Sequence, residues 1–110
     1  DKNNTTNWGS ASVATTNQWL QYVFPDEVFI STVTVLPYSP PYNPVNCRIE
    51  RSSDGVSFEA VKTFVMANSV LNTIEITKAG FYRYWRLFVE NSGGGNIGVH
   101  ELDFTGFVKP

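Results

Sequence analysis

The chain has 110 residues, of which 42% are hydrophobic and 15% aromatic, and its formal net charge is −2. This length and apolar content fit one domain with a single core, so residues 1–110 are predicted to form one domain. The low charge and the scattered lysines and arginines exclude the basic surface that binding to nucleic acid or an anionic membrane requires. No apolar run approaches the roughly 20 residues of a membrane-spanning helix.

Strand signals follow one another along the chain, whereas helical periodicity is absent. The predicted strands are alternating or β-branched segments bounded by Pro, Gly, Asn and Asp: 18–24 (which ends at Pro25), 27–38, 45–52, 56–65, 69–76 and two within 81–106. About seven strands separated by turns are typical of an antiparallel jelly-roll β-sandwich. The predicted fold class is therefore all-β.

Two loops stand out between these strands. Residues 37–44, PYSPPYNP, contain four prolines, which remove backbone donors and stiffen the segment. Residues 91–96, NSGGGN, contain three consecutive glycines, which suit a sharp turn or a close approach to the backbone. The glycine-rich segment is a candidate rim of a binding site.

No arrangement typical of an active site accompanies the lone histidine, His100, or the single cysteine, Cys47. Cys47 alternates with polar neighbours in a predicted strand and is expected to be a small buried hydrophobic residue. His100 is interpreted as structural, Asp54 as a residue that stabilises its own turn, and Trp19 as a core residue. The sequence therefore predicts a domain that is not an enzyme.

The first eight residues, DKNNTTNW, concentrate hard oxygen donors, among them Asp1, Asn3 and Thr6. Calcium binds about six to eight such oxygens, backbone carbonyls included, and a tight loop supplies several at once. Glu101 is the natural remote ligand, because it alternates with residues that are expected to face the core. The other interpretation of this segment is an ordinary polar N-terminal loop.

Three aromatic residues are candidates for sugar recognition. Trp8 lies among polar residues, and Tyr38 and Tyr42 lie on the proline-rich loop. An aromatic face packs against the apolar C–H side of a pyranose, while planar polar groups bind its hydroxyls. Asn91 and Asn96 supply such groups on the glycine-rich loop. Alternatively, the rings serve only to pack the base of the sandwich and the loops.

Four sequence motifs, which together span nearly the whole chain, occur in the same order as in a known family. DKNNTTNW is similar to D-G-N-x-x-T-x-W, and NQWLQYVF to a strand that is usually Q-W-I-x-x-D-F. RIERSSDGVSFEAV resembles a hairpin S-x-D-G-x-x-[WF], and YRYWRLFVENSGGGNIGVHELDFTG resembles a closing pair Y-R-Y-x-R-L…E-L-x-F-x-G. Together they resemble discoidin (coagulation-factor C-type) domains and the related galactose-binding carbohydrate-binding modules.

The resemblance implies a non-enzymatic jelly-roll sandwich that binds ligand with loops at one end, beside a structural calcium ion. The calcium ligands of the family fall on Asp1, Asn3, Thr6 and Glu101. Lys2 replaces the usual glycine of the first motif. The family also has a strand before its first aspartate, so an N-terminal strand is expected to be missing here or supplied by another chain.

Two functional hypotheses follow. The first is an extracellular carbohydrate-binding or adhesion module that binds a galactose or N-acetyl sugar, with contacts from Trp8, Tyr38, Tyr42, Asn91 and Asn96. The second is a structural docking module of a viral tail or fibre, or of another assembly, that contacts other subunits at the virion surface. Tyrosine rings around an open groove would favour the sugar, whereas rings buried in a flat apolar patch would favour assembly.

Overall fold

The computed structural model of the protein describes residues 8–9 and 16–110, and all regular secondary structure in these residues is antiparallel strand. The strands are β1 (Trp8–Gly9), β2 (Thr16–Pro37), β3 (Asn46–Ser52), β4 (Glu59–Val65), β5 (Asn72–Glu75), β6 (Tyr82–Asn91) and β7 (Gly98–Val108). Their hydrogen-bonded order is β1-β7-β2-β6-β3-β4, and β5 also pairs with β2. The described residues contain no helix that could cross a membrane. The predicted all-β antiparallel fold is confirmed.

Strand β2 connects the two layers of the sandwich. Its first half, up to Val23, pairs with β6, and its second half, from Val28 onward, pairs chiefly with β7 and β5. The register shifts between these two residues, around Pro25, which has no N–H to donate to a ladder. The two strands predicted on either side of Pro25 are therefore one continuous element, and the prediction that the first ends there was wrong.

The core lies between two facing layers. One layer contains the first half of β2 with β6, β3 and β4, and the other contains β1, β7, the second half of β2 and β5. Buried side chains alternate along both layers: Cys47, Ile49, Trp85, Leu87 and Val89 from the first, and Ile30, Val33, Val35, Leu102 and Phe104 from the second. Burial of each large apolar side chain contributes about 1.5–3 kcal/mol, so this contact holds the layers together.

The single cysteine is buried in this core, which confirms its interpretation as a small hydrophobic residue. Cys47 is 2% exposed. Burial, together with the charge of Glu90, raises the pKa of its thiol to about 12. The thiol is therefore protonated at neutral pH, and the reactive thiolate form is suppressed.

Two connections meet at one end of the sandwich, which we term the loop end: residues 38–45 between β2 and β3, and residues 92–97 between β6 and β7. Pro44 in the first and Ser92 in the second form an antiparallel bridge. The irregularity of β2 at Pro25 lies at the opposite end. The two loops singled out in the sequence are thus neighbours.

Candidate functional site

The two loops of the loop end are joined along their backbones. The hydrogen bonds run from Gly93 N to Asn43 O at 3.1 Å, from Gly95 N to Pro41 O at 2.9 Å, and from Gly98 N to Tyr42 O at 2.9 Å. These bonds satisfy polar backbone groups that irregular structure would otherwise leave unpaired. The proline-rich loop therefore rests on the glycine-rich loop, and together they form a single surface.

Tyr42 of the first loop packs against Gly95 of the second, and Tyr38 packs against Gly98, the first residue of β7. A Cβ on Gly95 would lie 2.7 Å from Cδ1 of Tyr42, and a Cβ on Gly98 would overlap the ring of Tyr38. Gly94, which precedes Gly95, has a φ of 125° and makes the sharp turn of this loop. Only glycine permits such close approach and such a backbone angle. The sequence allowed two explanations for the consecutive glycines, a sharp turn or a close approach to the backbone, and the structure contains both.

The two tyrosines differ in exposure. Tyr42 leaves 48% of its surface exposed. Tyr38 is half-buried, and its ring centroid lies 4.3 Å from that of His100. His100 is itself exposed, but its contact with Tyr38 agrees with the interpretation that it is structural. Tyr42 is therefore the ring of this pair that a ligand can reach most fully.

Asn91 and Asn96 occupy different environments at the loop end. Oδ1 of Asn91 accepts hydrogen bonds from the backbone N and from Nδ2 of Asn46, at 3.0 and 3.2 Å. This amide thus ties the end of β6 to the start of β3. Asn96 is half-buried and precedes Ile97, which is completely buried. For both residues, a contact with sugar stays a prediction.

Asn43 is a residue of the loop end that sequence reasoning missed. It is 5% exposed, and its Nδ2 donates to Oδ1 of Asn68 at 2.9 Å. Its own Oδ1 is buried beside Gly93, and the described residues supply no hydrogen-bond donor to it. A buried carbonyl without a donor costs free energy. Its place between Tyr42 and Pro44 in the stiff loop was the available sequence signal.

The predicted calcium ligands Asp1, Asn3 and Thr6 lie outside the described residues. Glu101 is exposed on β7, two positions beyond Val99, whose backbone pairs with Trp8 of β1. Trp8 is therefore near the loop end, and its contact with sugar stays a prediction. Within the described part of the chain, no three His, Cys, Asp or Glu side chains are grouped to hold a metal ion. Calcium binding likewise stays a prediction.

The prediction that Trp19 is a core residue was wrong. Its side chain is 48% exposed and stacks on Phe88, with ring centroids 5.8 Å apart and an interplanar angle of 9°. Side chains alternate across a strand, and here Leu20 and Tyr22 are the ones that pack against the core. Trp19 therefore lies on the outer face of β2.

The SDG turn forms as the sequence predicts. Oδ1 of Asp54 accepts hydrogen bonds from the backbone N of Val56 and of Ser57, at 2.9 and 3.0 Å, and from Oγ of Ser52 at 2.9 Å. These bonds, led by the one from Val56, lower the pKa of the Asp54 carboxyl. Asp54 is thus occupied by the turn itself.

Solved structures of known proteins share this fold. The C-terminal domain of a chitobiase from Bacteroides fragilis matches with a TM-score of 0.63 and 25% identity, over 77% of this chain and 60% of that one. An F5/8 type C domain from the same species matches with a TM-score of 0.71 and 16% identity, over 96% and 76%. The family 32 carbohydrate-binding module of NanJ from Clostridium perfringens, solved with galactose, matches with a TM-score of 0.75 and 16% identity. The match covers 91% of this chain and 76% of that one. The chain has the discoidin fold.

No protein-family model and no curated protein matches the sequence. The discoidin fold is confirmed by structure at low identity, and the four sequence motifs had predicted it. The solved structures that share this fold include carbohydrate-binding modules, an F5/8 type C domain and an enzyme's C-terminal domain. The chain spans 60% of the length of that chitobiase domain.

Proposed function

We propose that this discoidin domain is a non-catalytic, extracellular carbohydrate-binding module that binds a galactose or N-acetyl sugar at its loop end. The observation that carries the proposal is the half-exposed ring of Tyr42, which is seated on the backbone of Gly95. A ring held in this way loses little conformational entropy when a ligand stacks on it. The galactose complex of the family 32 neighbour supports the ligand class.

The chemistry of the loop end suits a sugar. The face of Tyr42 packs against the C–H side of a pyranose, and amide groups nearby bind the hydroxyls. Asn96, which is half-buried, supplies such an amide. Trp8, Tyr38 and Asn91 complete the proposed set of contacts.

Calcium has a supporting role in this proposal. Asp1, Asn3, Thr6 and Glu101 would hold the ion with carboxylate, amide or carbonyl, and hydroxyl oxygens, the donor types that Ca²⁺ prefers. The ion would link the N-terminal residues of the chain to Glu101 of β7. If so, calcium raises the melting temperature and EDTA lowers it, because a ligand of the folded state alone stabilises that state.

The proposed function is tested by titrating the chain with galactose, N-acetylgalactosamine, N-acetylglucosamine and glucose in calcium buffer. Binding is measured by NMR and calorimetry. We expect at least one galactose or N-acetyl sugar to shift loop-end resonances. The variant Tyr42→Ala should weaken its affinity by about tenfold or more, which corresponds to ~1.4 kcal/mol. Phe107→Ala is the matched control, because Phe107 is 58% exposed and lies on β7 toward the opposite end.

Two outcomes would contradict the sugar site: no response to any of the sugars, or equal affinity for the wild type and Tyr42→Ala. In either case the docking hypothesis, for a viral tail or fibre or another assembly, would take its place. A docking surface buries a broad apolar patch. The loop end instead combines an exposed tyrosine with several asparagines, and this composition favours the sugar.

A further inference from the structure

A cluster of aromatic and charged side chains covers the outer face of the first layer, away from the core. We term it the outer cluster, and its members are Trp19, Arg48, Glu50, Phe58, Arg86 and Phe88. They project from β2, β3, β6 and the segment before β4. The loop-end site of the proposed function uses none of them.

The charges of the outer cluster neutralise one another. Glu50 is only 5% exposed, and it accepts hydrogen bonds from Nε of Arg86 at 2.6 Å and from Nε of Arg48. Arg48 also donates to Glu90 at 2.7 Å. Two arginines thus face two glutamates. The surface therefore suits a neutral ligand better than an anionic or cationic one.

The same arginines hold the aromatic rings in place. Cζ of Arg86 lies 3.7 Å from the ring centroid of Phe58 and 4.8 Å from that of Trp19. Cζ of Arg48 lies 3.9 Å from the centroid of Phe88. Cation–π contacts of this kind are attractive, and the nearly parallel stack on Phe88 sets the plane of the indole. The exposed indole of Trp19 is therefore pre-organised.

Phe88 of β6 stacks on one face of this indole, and 48% of the Trp19 side chain remains exposed. No described strand pairs with residues 16–23 of β2 on the side away from β6. Among the described residues, the exposed part of the indole is therefore the face that Phe88 does not cover. Gln21 lies two residues further along the same outer face, directly opposite Arg86 in register. A planar amide and a guanidinium thus stand beside an open aromatic face.

We propose that the outer cluster is a second carbohydrate site, which takes a neutral pyranose. The open face of Trp19 stacks on the C–H side of the sugar. The side-chain amide of Gln21 and the terminal guanidinium nitrogens of Arg86, which take no part in its Nε bond to Glu50, bind the hydroxyls.

The experiment monitors the indole N–H resonance of Trp19 by NMR while neutral oligosaccharides are added. This resonance is assigned as the one that disappears in the variant Trp19→Phe. The panel contains lactose, cellohexaose, xylohexaose, mannohexaose and chitohexaose, with polygalacturonate as an acidic probe. We expect at least one neutral sugar to shift this resonance together with the side-chain amide of Gln21. Trp19→Ala should then weaken binding of that sugar by about tenfold, whereas Phe107→Ala should not change it.

The variant Tyr42→Ala distinguishes the two sites, because it should weaken sugar binding at the loop end and leave the sugar-induced shifts of Trp19 unchanged. The proposal is overturned if no neutral sugar moves the Trp19 resonance, or if folded Trp19→Ala binds as tightly as the wild type. It is also overturned if the resonance moves with protein concentration alone, which would mean that the outer cluster contacts a second copy of the chain. A loop end that binds nothing would leave the outer site standing.

Discussion

The ring of Tyr42 and the backbone of Gly95 determine each other's position at the loop end. A Cβ added to Gly95 would lie only 2.7 Å from Cδ1 of the Tyr42 ring. The backbone N of Gly95 also donates a hydrogen bond to O of Pro41, the residue before this tyrosine. The ring leaves no room for a Cβ on residue 95, and such a Cβ would also lie 3.2 Å from O of Pro41. The exposed ring and the glycine-rich loop therefore form one unit.

Substitution Gly95→Ala should move the Tyr42 ring. The added methyl group overlaps the ring and forces the loops apart, so we expect a loss of about 1–3 kcal/mol in the free energy of unfolding. Sugar affinity at the loop end should fall as well. Urea denaturation and sugar titration of the variant measure the two effects.

A double-mutant cycle identifies the clash as the cause. In the Tyr42→Ala background the ring is gone, so Gly95→Ala should then cost much less than in the wild type. If Gly95→Ala costs the same in both backgrounds, the ring is not what requires glycine at this position.

Substitution Glu50→Ala should destabilise the fold strongly. It leaves Arg48 and Arg86, whose side chains are 27% and 15% exposed, without the carboxylate they share. We expect a loss of about 2–4 kcal/mol, because a largely buried charge without its partner is costly. Chemical denaturation monitored by tryptophan fluorescence gives the free energy of unfolding.

Glu90→Ala is the matched control for Glu50→Ala. It removes a second partner of Arg48, but the Glu90 side chain is 47% exposed, and an exposed ion pair contributes at most about 1 kcal/mol. Equal losses for the two variants would show that burial of Glu50 does not govern the stability of the outer cluster.

The Asp54 turn should make stability depend on pH in acid. Its hydrogen bonds lower the pKa of Asp54 in the folded state, and in the unfolded chain the pKa is about 3.9. The carboxylate therefore stabilises the fold above that value, and this contribution is lost as the pH falls through the folded pKa. Glu59, whose pKa is lowered mainly by Lys78, acts in the same direction.

Thermal melts between pH 7 and pH 2 test this expectation. The melting temperature of the wild type should fall in acid, and Asp54→Ala should show a smaller fall because the titrating group is absent. An identical pH dependence of the two proteins would mean that the turn carboxylate is not linked to folding.

The Cys47 thiol should resist labelling in the folded protein. It is 2% exposed, and its pKa of about 12 leaves almost no thiolate at pH 8. A chromogenic disulfide reagent should therefore react only when urea unfolds the chain, and Cys47→Ala should give no signal at all. Rapid labelling without denaturant would contradict the buried position.

The all-β fold was predictable because its signals are local. Alternation along the strand that contains Cys47 and Ile49, and the turn chemistry of Asp54, act between residues close in the chain. Pro25 misled the prediction for the opposite reason. A proline cannot donate to a ladder, but β2 tolerates it where the strand changes partners, and partner strands are a tertiary property.

Trp19 is a second residue whose position local sequence patterns could not predict. An aromatic residue in a strand favours burial, but the register between β2 and β6 decides which face it occupies, and here it stacks on Phe88 outside the core.

The sequence by itself determined most of the strands, their turns and the two loops that carry Tyr38, Tyr42 and Asn96, because alternation, proline and glycine act over a few residues. Only the tertiary structure decided that Tyr42 rests on Gly95, that Asn43 is buried beside Gly93, and that Trp19 is presented to solvent. Each of these depends on contacts between segments far apart in the chain, which local patterns do not encode.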